Sequence, residues 1–216
     1  MYQPKYRFVA FDMDGTLLDS MRQYRSGPVD YLEELGLQEL ADEHREEMMF
    51  LPTPISKKIV SEWCVERGFP PFSREKEFEY LRQHYATDVT LKPGVRGFLE
   101  LLKKHGVRMC ILTATPHELC DEALRVAGID EYFEFVLTTK EDCPCGKDNP
   151  EAFQVVLDRF GIRPEECAMV EDAEYSIRTA KELGMYIIAM EEACSAKKRD
   201  VILEMADEYY TEFPQE

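Results

Sequence analysis

The stretch FVAFDMDGTLLDS, residues 8–20, decides the fold that we expect of this chain. Its four leading apolar residues are typical of a buried β-strand, and Gly15 allows the backbone to turn sharply where that strand ends. Alternate residues of a strand point to the same side, so Asp12 and Asp14 should project together. Two carboxylates that close together either raise the pKa of one of them or recruit a cation. The stretch therefore predicts a strand end that carries chemistry, with a plain turn as the alternative.

Composition restricts the class of protein and of partner. A chain of 216 residues, 44% of them apolar, can bury one core domain of typical size together with a modest insertion. The 43 acidic and 26 basic residues give a formal charge of −17, which repels nucleic acid and anionic membranes. We therefore expect a small-molecule substrate, no nucleic acid partner and no membrane partner.

The N-terminus and the cysteines favour a cytoplasmic protein. The first residues contain no long apolar segment, and no run in the sequence approaches the roughly 18 apolar residues of a membrane span. Seven cysteines, an odd number, favour reduced thiols over a disulfide framework. Cys143 and Cys145 are close enough in sequence to suggest zinc, but no second Cys or His pair accompanies them, so a plain loop is the favoured interpretation.

Strand and helix patterns alternate after residue 90. Apolar runs predict strands at 109–114, 133–139, 167–172 and 186–190, with a short one near 209–213. Amphipathic segments between them predict helices, among them a capped one over residues 149–161. Another is announced by Thr115, Pro116 and Glu118 as a capping box with proline at the first helical position. This alternation predicts an α/β fold with a doubly wound parallel sheet, whose active face lies at the carboxyl ends of the strands.

Residues 20–88 interrupt that alternation. They are rich in Glu, Arg and other helix formers, contain proline breakers and include no convincing β run. We expect a core formed by residues 1–19 and 89–216, and a helical insertion of residues 20–88 that can act as a lid.

Polar residues recur where the predicted core strands end. Besides the two aspartates, Thr113 ends one strand, Lys147 follows the next, and Glu171 with Asp172 ends a third. Phosphoryl transfer depends on positioning and on charge stabilisation, so a nucleophile, a cation, a hydroxyl donor and metal-binding carboxylates are the parts it requires. The set predicts phosphoryl-transfer chemistry.

This order of motifs, DxDGT, then Thr, Lys and an acidic pair, resembles the haloacid dehalogenase-like (HAD) superfamily, subfamily I. The resemblance covers the whole chain. It implies a Rossmann-like core with an inserted α-helical cap, and Mg²⁺ as cofactor. It also implies that Asp12 is a nucleophile forming an aspartyl-phosphate, that Asp14 is the general acid and base, that Thr113 binds a phosphoryl oxygen, and that Lys147 neutralises charge. The implied metal ligands are Asp12, the backbone carbonyl of Asp14, Asp172 and, with less direct contact, Glu171.

Departures from the family pattern separate the competing functions. Dehalogenases of the superfamily lack the second aspartate, so Asp14 argues against carbon–halogen cleavage. Mutases resembling β-phosphoglucomutase carry a cap histidine where Tyr24 stands here. A phosphatase acting on a small phosphorylated metabolite, of the sugar or polyol phosphate type, is therefore the leading hypothesis. A sugar phosphomutase and a catalytically silent binding protein are the alternatives.

Substrate identity should depend on the helical insertion. Its candidate substrate contacts are basic side chains, for each of which a surface helix position is the favoured interpretation: Arg22, Arg25, Lys57, Lys58 and His84. In the core, His117 is interpreted as part of an exposed first helical turn, and a substrate contact is its alternative. We expect the protein to be a monomer or a weak homodimer.

Overall fold

The structure, a computed structural model, describes residues 3–51, 53–87, 89–143 and 145–215. The chain divides into two compact units, one formed by Met1–Asp19 with Val89–Glu216 and the other by Ser20–Asp88. The strands are β1 (Phe8–Phe11), β2 (Arg108–Thr113), β3 (Val136–Thr138), β4 (Cys167–Glu171), β5 (Tyr186–Met190) and β6 (Glu208–Tyr210). The helices are α1 (Met21–Glu34), α2 (Gln38–Phe50), α3 (Thr53–Glu66), α4 (Arg74–Thr87), α5 (Val95–Lys104), α6 (His117–Ala127), α7 (Pro150–Phe160), α8 (Glu174–Glu182) and α9 (Arg199–Met205).

All six strands form one parallel sheet in the order β3-β2-β1-β4-β5-β6. From β1 the chain adds β2 and β3 on one side of the sheet, and then β4, β5 and β6 on the other side of β1. The switch point of the sheet therefore lies at β1, between β2 and β4. In sheets of this kind the switch point leaves a crevice at the carboxyl ends of the strands, where ligands bind. The predicted α/β fold class is confirmed, and the ends of β1, β2 and β4 are neighbours.

Alternating side chains of β1 explain why helices cover both faces of the sheet. Ala10 belongs to a buried cluster with residues of α7, α8 and α9, among them Phe153 and Ile177. Phe11 points to the other face, where its ring meets Phe98 of α5 with 6.4 Å between ring centroids. Strands buried on both faces are necessarily apolar at successive positions, as β1 is.

Helix α7 illustrates how local signals set the ends of the core helices. The Asn149 side chain accepts a hydrogen bond from the backbone N–H of Glu151 at 3.0 Å, and Pro150 is the first helical residue. At the other end Gly161 adopts a left-handed conformation with φ of 72°. Both signals are visible in the sequence, and the predicted helix of residues 149–161 is confirmed within one residue at each end.

Two predicted strands differ in extent from those observed. β3 contains only Val136–Thr138, although the backbone N–H of Glu134 donates to the carbonyl of Met109 at 2.8 Å, so the preceding residues still follow β2. β6 lies at Glu208–Tyr210 rather than at 209–213. Both are edge strands with one pairing partner each, and their ends are set by where that partner ends rather than by apolar pattern.

The unit Ser20–Asp88 contains α1 to α4, and its described residues include no strand. Its own buried cluster includes Val29, Leu32, Val60 and Phe72. The rings of Tyr31 and Phe72 pack with centroids 5.5 Å apart. The helices bury this apolar surface among themselves, as expected for a unit with its own core.

Among the described residues, none of the helices is both long enough and apolar enough to span a membrane.

Candidate active site

The ends of β1 and β4 bring the carboxylates together. The backbone N–H of Asp12 donates to the carbonyl of Val170 at 2.9 Å, which continues the pairing of the two strands by one residue. Gly15 then turns the chain with φ of 87°, a conformation that favours glycine. Because this turn follows at once, Asp12 and Asp14 lie just beyond the carboxyl end of β1 rather than within the strand. Asp12 is buried and Asp14 is half-buried.

Lys147 connects two of these carboxylates. Its Nζ lies 2.5 Å from Oδ1 of Asp12 and 2.6 Å from Oε1 of Glu171, and the side chain is 4% exposed. The lysine lies in the loop between β3 and α7, so three segments distant in sequence meet in one ionic cluster. A buried ammonium requires such partners, because burial without them would remove its charge.

Glu171 has protein partners on both carboxylate oxygens. Oε1 accepts from Lys147, and Oε2 accepts the backbone N–H groups of Asp172 and Ala173 at 2.6 and 2.7 Å. Burial opposes its ionisation, but Lys147 and these hydrogen bonds outweigh that effect and hold its pKa below the usual value. Glu171 is thus an ionised anchor for Lys147 and for the turn that starts α8.

Burial has the opposite result for the other two carboxylates. It raises the pKa of Asp12 to about 7, although Lys147 acts against the shift. Burial and the neighbouring charges of Glu171 and Asp12 raise the pKa of Asp172 well above its usual value. Burial disfavours the ammonium of Lys147 as well, but Asp12 and Glu171 outweigh it and raise the pKa of that lysine.

The cluster therefore has room for a further cation. Asp12, Glu171 and Asp172 each offer a carboxylate oxygen within 4.8 Å of the others, and all three residues are buried. Three carboxylates face one ammonium, so a divalent cation would neutralise the remaining charge. Hard cations such as Mg²⁺ prefer oxygen donors of this kind. Within the described part of the chain this is the one group of three metal-binding side chains, and Cys143 and Cys145 are not part of it.

The hydroxyl of Thr115 contacts Asp14. Its Oγ1 donates to Oδ2 of Asp14 at 2.7 Å, and its backbone N–H donates to Oγ1 of Thr113 at 3.1 Å. The predicted capping box is therefore wrong: α6 begins at His117, and Pro116 occupies the N-cap position without a side-chain cap. The physical reason is that the helix starts one residue later than predicted, with the carbonyl of Pro116 accepting the N–H groups of Leu119 and Cys120. Thr115 therefore lies before the first turn, and its hydroxyl donates to Asp14.

Two further hydroxyls contact Asp172 and were not identified from the sequence. Thr16 Oγ1 lies 3.3 Å from Oδ1, and Ser195 Oγ lies 3.2 Å from Oδ2. Thr16 stands inside the DxDGT motif, so its position next to the site could have been inferred. Ser195 lies after β5, in a segment whose sequence carries no recognisable signal.

His117 pairs with another core side chain. Its Nε2 lies 2.7 Å from Oδ2 of Asp142, and that oxygen also accepts the backbone N–H of Thr138 at 2.7 Å. The imidazole is about a third exposed. The pair joins the first turn of α6 to the loop after β3, so His117 has a structural contact as well as an exposed face.

The basic candidates of the helical unit have different surroundings. Arg25 Nη1 donates to the carbonyl of Met49 at 3.3 Å. Lys57 is paired with Glu77, and Lys58 is largely exposed. His84 is buried and packs against the ring of Tyr85. Arg22 lies in a cleft of about 630 Å³ between α1 and α2, which is lined mainly by charged and polar side chains: Arg22, Gln23, Ser26, Asp30, Asp42 and Arg45.

Comparison with known proteins agrees with this geometry. A phosphorylated carbohydrates phosphatase of Thermotoga maritima is 28% identical over 177 residues, which cover 82% of this chain and 81% of that protein. A phosphoglycolate phosphatase of Chromobacterium violaceum is 29% identical over 189 residues, covering 84% and 83%. A mutant of CbbY from Rhodobacter sphaeroides, solved with xylulose-(1,5)bisphosphate, has the same fold, with a TM-score of 0.71, 18% identity and coverage of 96% and 95%.

The enzyme class predicted from the sequence, a hydrolase of the phosphatase type, is confirmed by these relatives and by the family model that matches the chain. That model, of the haloacid dehalogenase-like hydrolases, matches residues 6–184 and includes every core residue predicted for the site. The chain belongs to the haloacid dehalogenase-like hydrolase family.

Proposed function

We propose that the protein is a Mg²⁺-dependent phosphatase that hydrolyses a small phosphorylated metabolite of the sugar or polyol phosphate type through an aspartyl-phosphate at Asp12. The observation that carries the proposal is the buried cluster of Asp12, Lys147, Glu171 and Asp172, which combines a carboxylate nucleophile with a fixed cation and a metal-binding charge distribution. The names of the two phosphatase relatives support a small phosphorylated substrate, and the name of the Thermotoga maritima protein supports a carbohydrate phosphate.

In the first step a carboxylate oxygen of Asp12 forms a bond to phosphorus while the ester P–O bond breaks. Asp14 gives its proton to the departing oxygen, so that the alcohol leaves neutral. Lys147, already bonded to Asp12, offsets the repulsion between the carboxylate and the phosphoryl group. The hydroxyl group of Thr113 donates a hydrogen bond to a phosphoryl oxygen.

In the second step water attacks the phosphorus of the aspartyl-phosphate and passes a proton to Asp14. The acyl phosphate bond breaks, which frees Asp12 and inorganic phosphate. One residue thus serves as acid and then as base, so the reaction ends with the starting protonation state.

Mg²⁺ would be held by Asp12, Asp172 and the backbone carbonyl of Asp14. Glu171 would support these ligands without binding the ion as directly. When bound, it would supply charge neutralisation at the phosphoryl oxygens and hold substrate in line with Asp12. The residues fit such an ion, because their three carboxylates carry more negative charge than Lys147 can balance.

We further propose that the helical unit Ser20–Asp88 is the cap that selects the substrate, with Arg22, Arg25, Lys57, Lys58 and His84 as candidate contacts. Arg22 is the strongest of them, because it lies in a polar cleft, whereas Lys57 has a carboxylate partner and Arg25 a carbonyl partner. Carboxylates and guanidinium groups side by side can bind the hydroxyls of a polyol.

Hydrolysis of p-nitrophenyl phosphate tests the chemistry, and a panel of phosphorylated metabolites tests the substrate class. Activity should disappear in EDTA, return with MgCl₂ and be absent in Asp12→Asn. Activity that survives in Asp12→Asn would contradict the proposed nucleophile. Single-turnover partitioning of phosphate between water and added sugar distinguishes the phosphatase from a mutase, and we expect water to take nearly all of it.

A further inference from the structure

The carboxylate of Asp172 is held from two sides by hydroxyl groups. Thr16 donates to Oδ1 at 3.3 Å, and Ser195 donates to Oδ2 at 3.2 Å. Asp172 is 5% exposed, so few water molecules can replace these donors. A metal-binding carboxylate needs such outer partners to keep its oxygens oriented, and their loss weakens metal binding. Thr16 belongs to the motif that carries Asp12, whereas Ser195 comes from a part of the chain that no motif includes.

One side chain, Glu192, makes several of the contacts that hold the segment carrying Ser195. This residue ends the loop after β5 and precedes the 3₁₀ turns of Ala193–Lys198. Its Oε1 accepts the backbone N–H of Cys194 at 3.3 Å, and its carbonyl accepts the N–H of Ser195 at 3.0 Å. Glu192 thereby sets the backbone position from which Ser195 reaches Asp172.

Glu192 is itself held by a buried ion pair. Its Oε2 lies 2.6 Å from Nζ of Lys92, and the two side chains are 9% and 10% exposed. Lys92 also donates from Nζ to the carbonyl of Glu191 at 2.8 Å and from its backbone N–H to the carbonyl of Leu17 at 2.9 Å. The pair therefore joins the segment after β5 to the turn that follows the two aspartates.

Packing on one side of this segment is incomplete. The segment borders a cavity of about 380 Å³, whose walls include side chains of the segment and of its neighbours: Lys92, Glu192, Ser195, Arg199, Ile202 and Tyr209. A wall that faces open space can move, since it has few van der Waals partners on that side. The ion pair and the hydrogen bonds of Glu192 supply the restraint that the cavity wall lacks.

We infer that Ser195 is a positioning residue for the metal ligand Asp172, and that the Lys92–Glu192 pair holds the segment that places it. The inference rests on the proposed function, in which Asp172 binds Mg²⁺. Ser195 touches neither substrate nor reacting atoms; it keeps the carboxylate of Asp172 in the orientation that metal binding requires.

The test is calorimetric titration of the full-length, EDTA-stripped protein with MgCl₂. Ser195→Ala should raise the Kd for Mg²⁺ about 10-fold, within the range known for outer partners of metal ligands. The Tm in EDTA should fall by a few degrees at most, because the variant loses one hydrogen bond while Thr16 still donates to Asp172. Ser195→Thr keeps a hydroxyl and should restore most of the affinity. At saturating MgCl₂ the kcat of Ser195→Ala on p-nitrophenyl phosphate should return to the wild-type value.

A matched control is Ser26→Ala, which removes another serine–carboxylate bond, that of Ser26 Oγ to Asp30 Oδ2, in the helical unit. It should leave the Kd for Mg²⁺ unchanged. Glu192→Gln is a second variant that keeps Ser195 itself, and it should raise the Kd in the same direction by a smaller factor. It keeps the experiment decisive where Ser195→Ala fails to fold.

Different results would overturn different statements. A wild-type protein that binds Mg²⁺, with a Ser195→Ala variant of equal Kd, would refute the role of Ser195 and leave the proposed function intact. A fall in Tm in EDTA with no change in Kd would show a purely structural role and would refute it too. A wild-type protein that takes up no Mg²⁺ would refute both the inference and the proposed cofactor.

Discussion

At the scale of single residues, the charge balance of the cluster connects stability to metal binding. The three buried carboxylates of Asp12, Glu171 and Asp172 face the one ammonium group of Lys147. Burial and its neighbours raise the pKa of Asp172 well above its usual value. Burying a charge without a partner costs several kcal/mol, so the metal-free protein bears part of this cost in its folded state. Residues that serve the chemistry here are therefore expected to oppose the stability of the fold.

Asp172→Asn should show this opposition directly. In EDTA the variant should be more stable than the wild type, because the amide keeps the shape of the side chain without the burial cost that raises the pKa of Asp172. MgCl₂ should raise the Tm of the wild type by mass action and leave that of the variant unchanged. Thermal unfolding of both proteins in EDTA and in MgCl₂ measures the two effects. A variant that is less stable in EDTA and still responds to MgCl₂ would contradict the assignment of Asp172.

Thr115 gives a second prediction at this scale. Its hydroxyl donates to Oδ2 of Asp14 and should help to orient the carboxyl group that we propose as the general acid. Thr115→Val removes the hydroxyl at similar volume and should lower kcat/KM for an alkyl phosphate about 10-fold or more, since general acid catalysis contributes about 10²–10⁴-fold. p-Nitrophenyl phosphate has a leaving group that needs little protonation, so its kcat/KM should fall less.

Thr115→Ser is the matched control, because it keeps the hydroxyl and should remain close to the wild type on both substrates. Equal losses on both substrates in Thr115→Val would show that the residue supports the fold of the loop rather than the orientation of Asp14.

The contrast between these residues shows how far sequence can reach at the site. Asp12 and Asp14 could be predicted because they follow a strand in a recognisable motif, and Lys147 because it lies between a predicted strand and a predicted helix. Thr115 and Ser195 could not, since each contacts a carboxylate from a loop whose path depends on the whole sheet. A hydroxyl residue near a helix start is equally compatible with a cap, and only the position of Asp14 decides between the two.

At the scale of elements, the loop that carries Lys147 depends on where α7 begins. Asn149 lies two residues after the lysine, and its side chain caps the helix by accepting the N–H of Glu151. Asn149→Ala should lower the stability of the protein by about 1 kcal/mol through loss of the cap. For a chain of this size the Tm should fall by about 2–4 °C. Asn149→Asp keeps an oxygen acceptor, now that of a carboxylate next to the positive end of the helix dipole, and should retain the wild-type Tm. An alanine variant of unchanged Tm would show that the cap contributes nothing.

Elements differ in how well local sequence determines them. Helix α7 and strand β5 have the predicted ends within one residue, because asparagine, proline, glycine and an uninterrupted apolar run act locally. β3 and β6 depend on a single neighbouring strand, and their lengths follow from how far that neighbour extends. Edge strands are thus the elements for which tertiary pairing overrides pattern.

At the scale of the whole molecule, the sheet order places the chemistry. Alternation of strands and helices predicts a parallel sheet, but the order β3-β2-β1-β4-β5-β6 is a property of the complete fold. That order makes β1 the neighbour of both β2 and β4, so the four motifs converge at the carboxyl ends of neighbouring strands. The substrate class is less accessible from sequence, because in our proposal it depends on which polar side chains of the helical unit line its cleft.

The seven cysteines test the burial pattern of the whole molecule. Five are buried, whereas Cys145 and Cys194 are half-buried. Burial raises the pKa of Cys167 to about 12 and also raises the pKa values of Cys64, Cys110 and Cys120. The thiolate is the form that reacts with iodoacetamide, so these buried groups should stay unlabelled in the native protein.

Intact-mass measurement after labelling should therefore show at most two adducts on the native protein and seven after unfolding in urea. Burial raises the pKa of Cys145 to about 11, which slows its reaction, so Cys194 should be labelled first. Cys194→Ser should lose that first adduct while the second remains. Seven adducts in urea without a reductant would also confirm that the thiols are reduced, as the odd number of cysteines predicts, whereas fewer would reveal a disulfide. Rapid labelling of Cys110 or Cys167 in the native protein, located by peptide mapping, would contradict the packing of α7 and α8 against the sheet, because both thiols lie in the cluster that these helices cover.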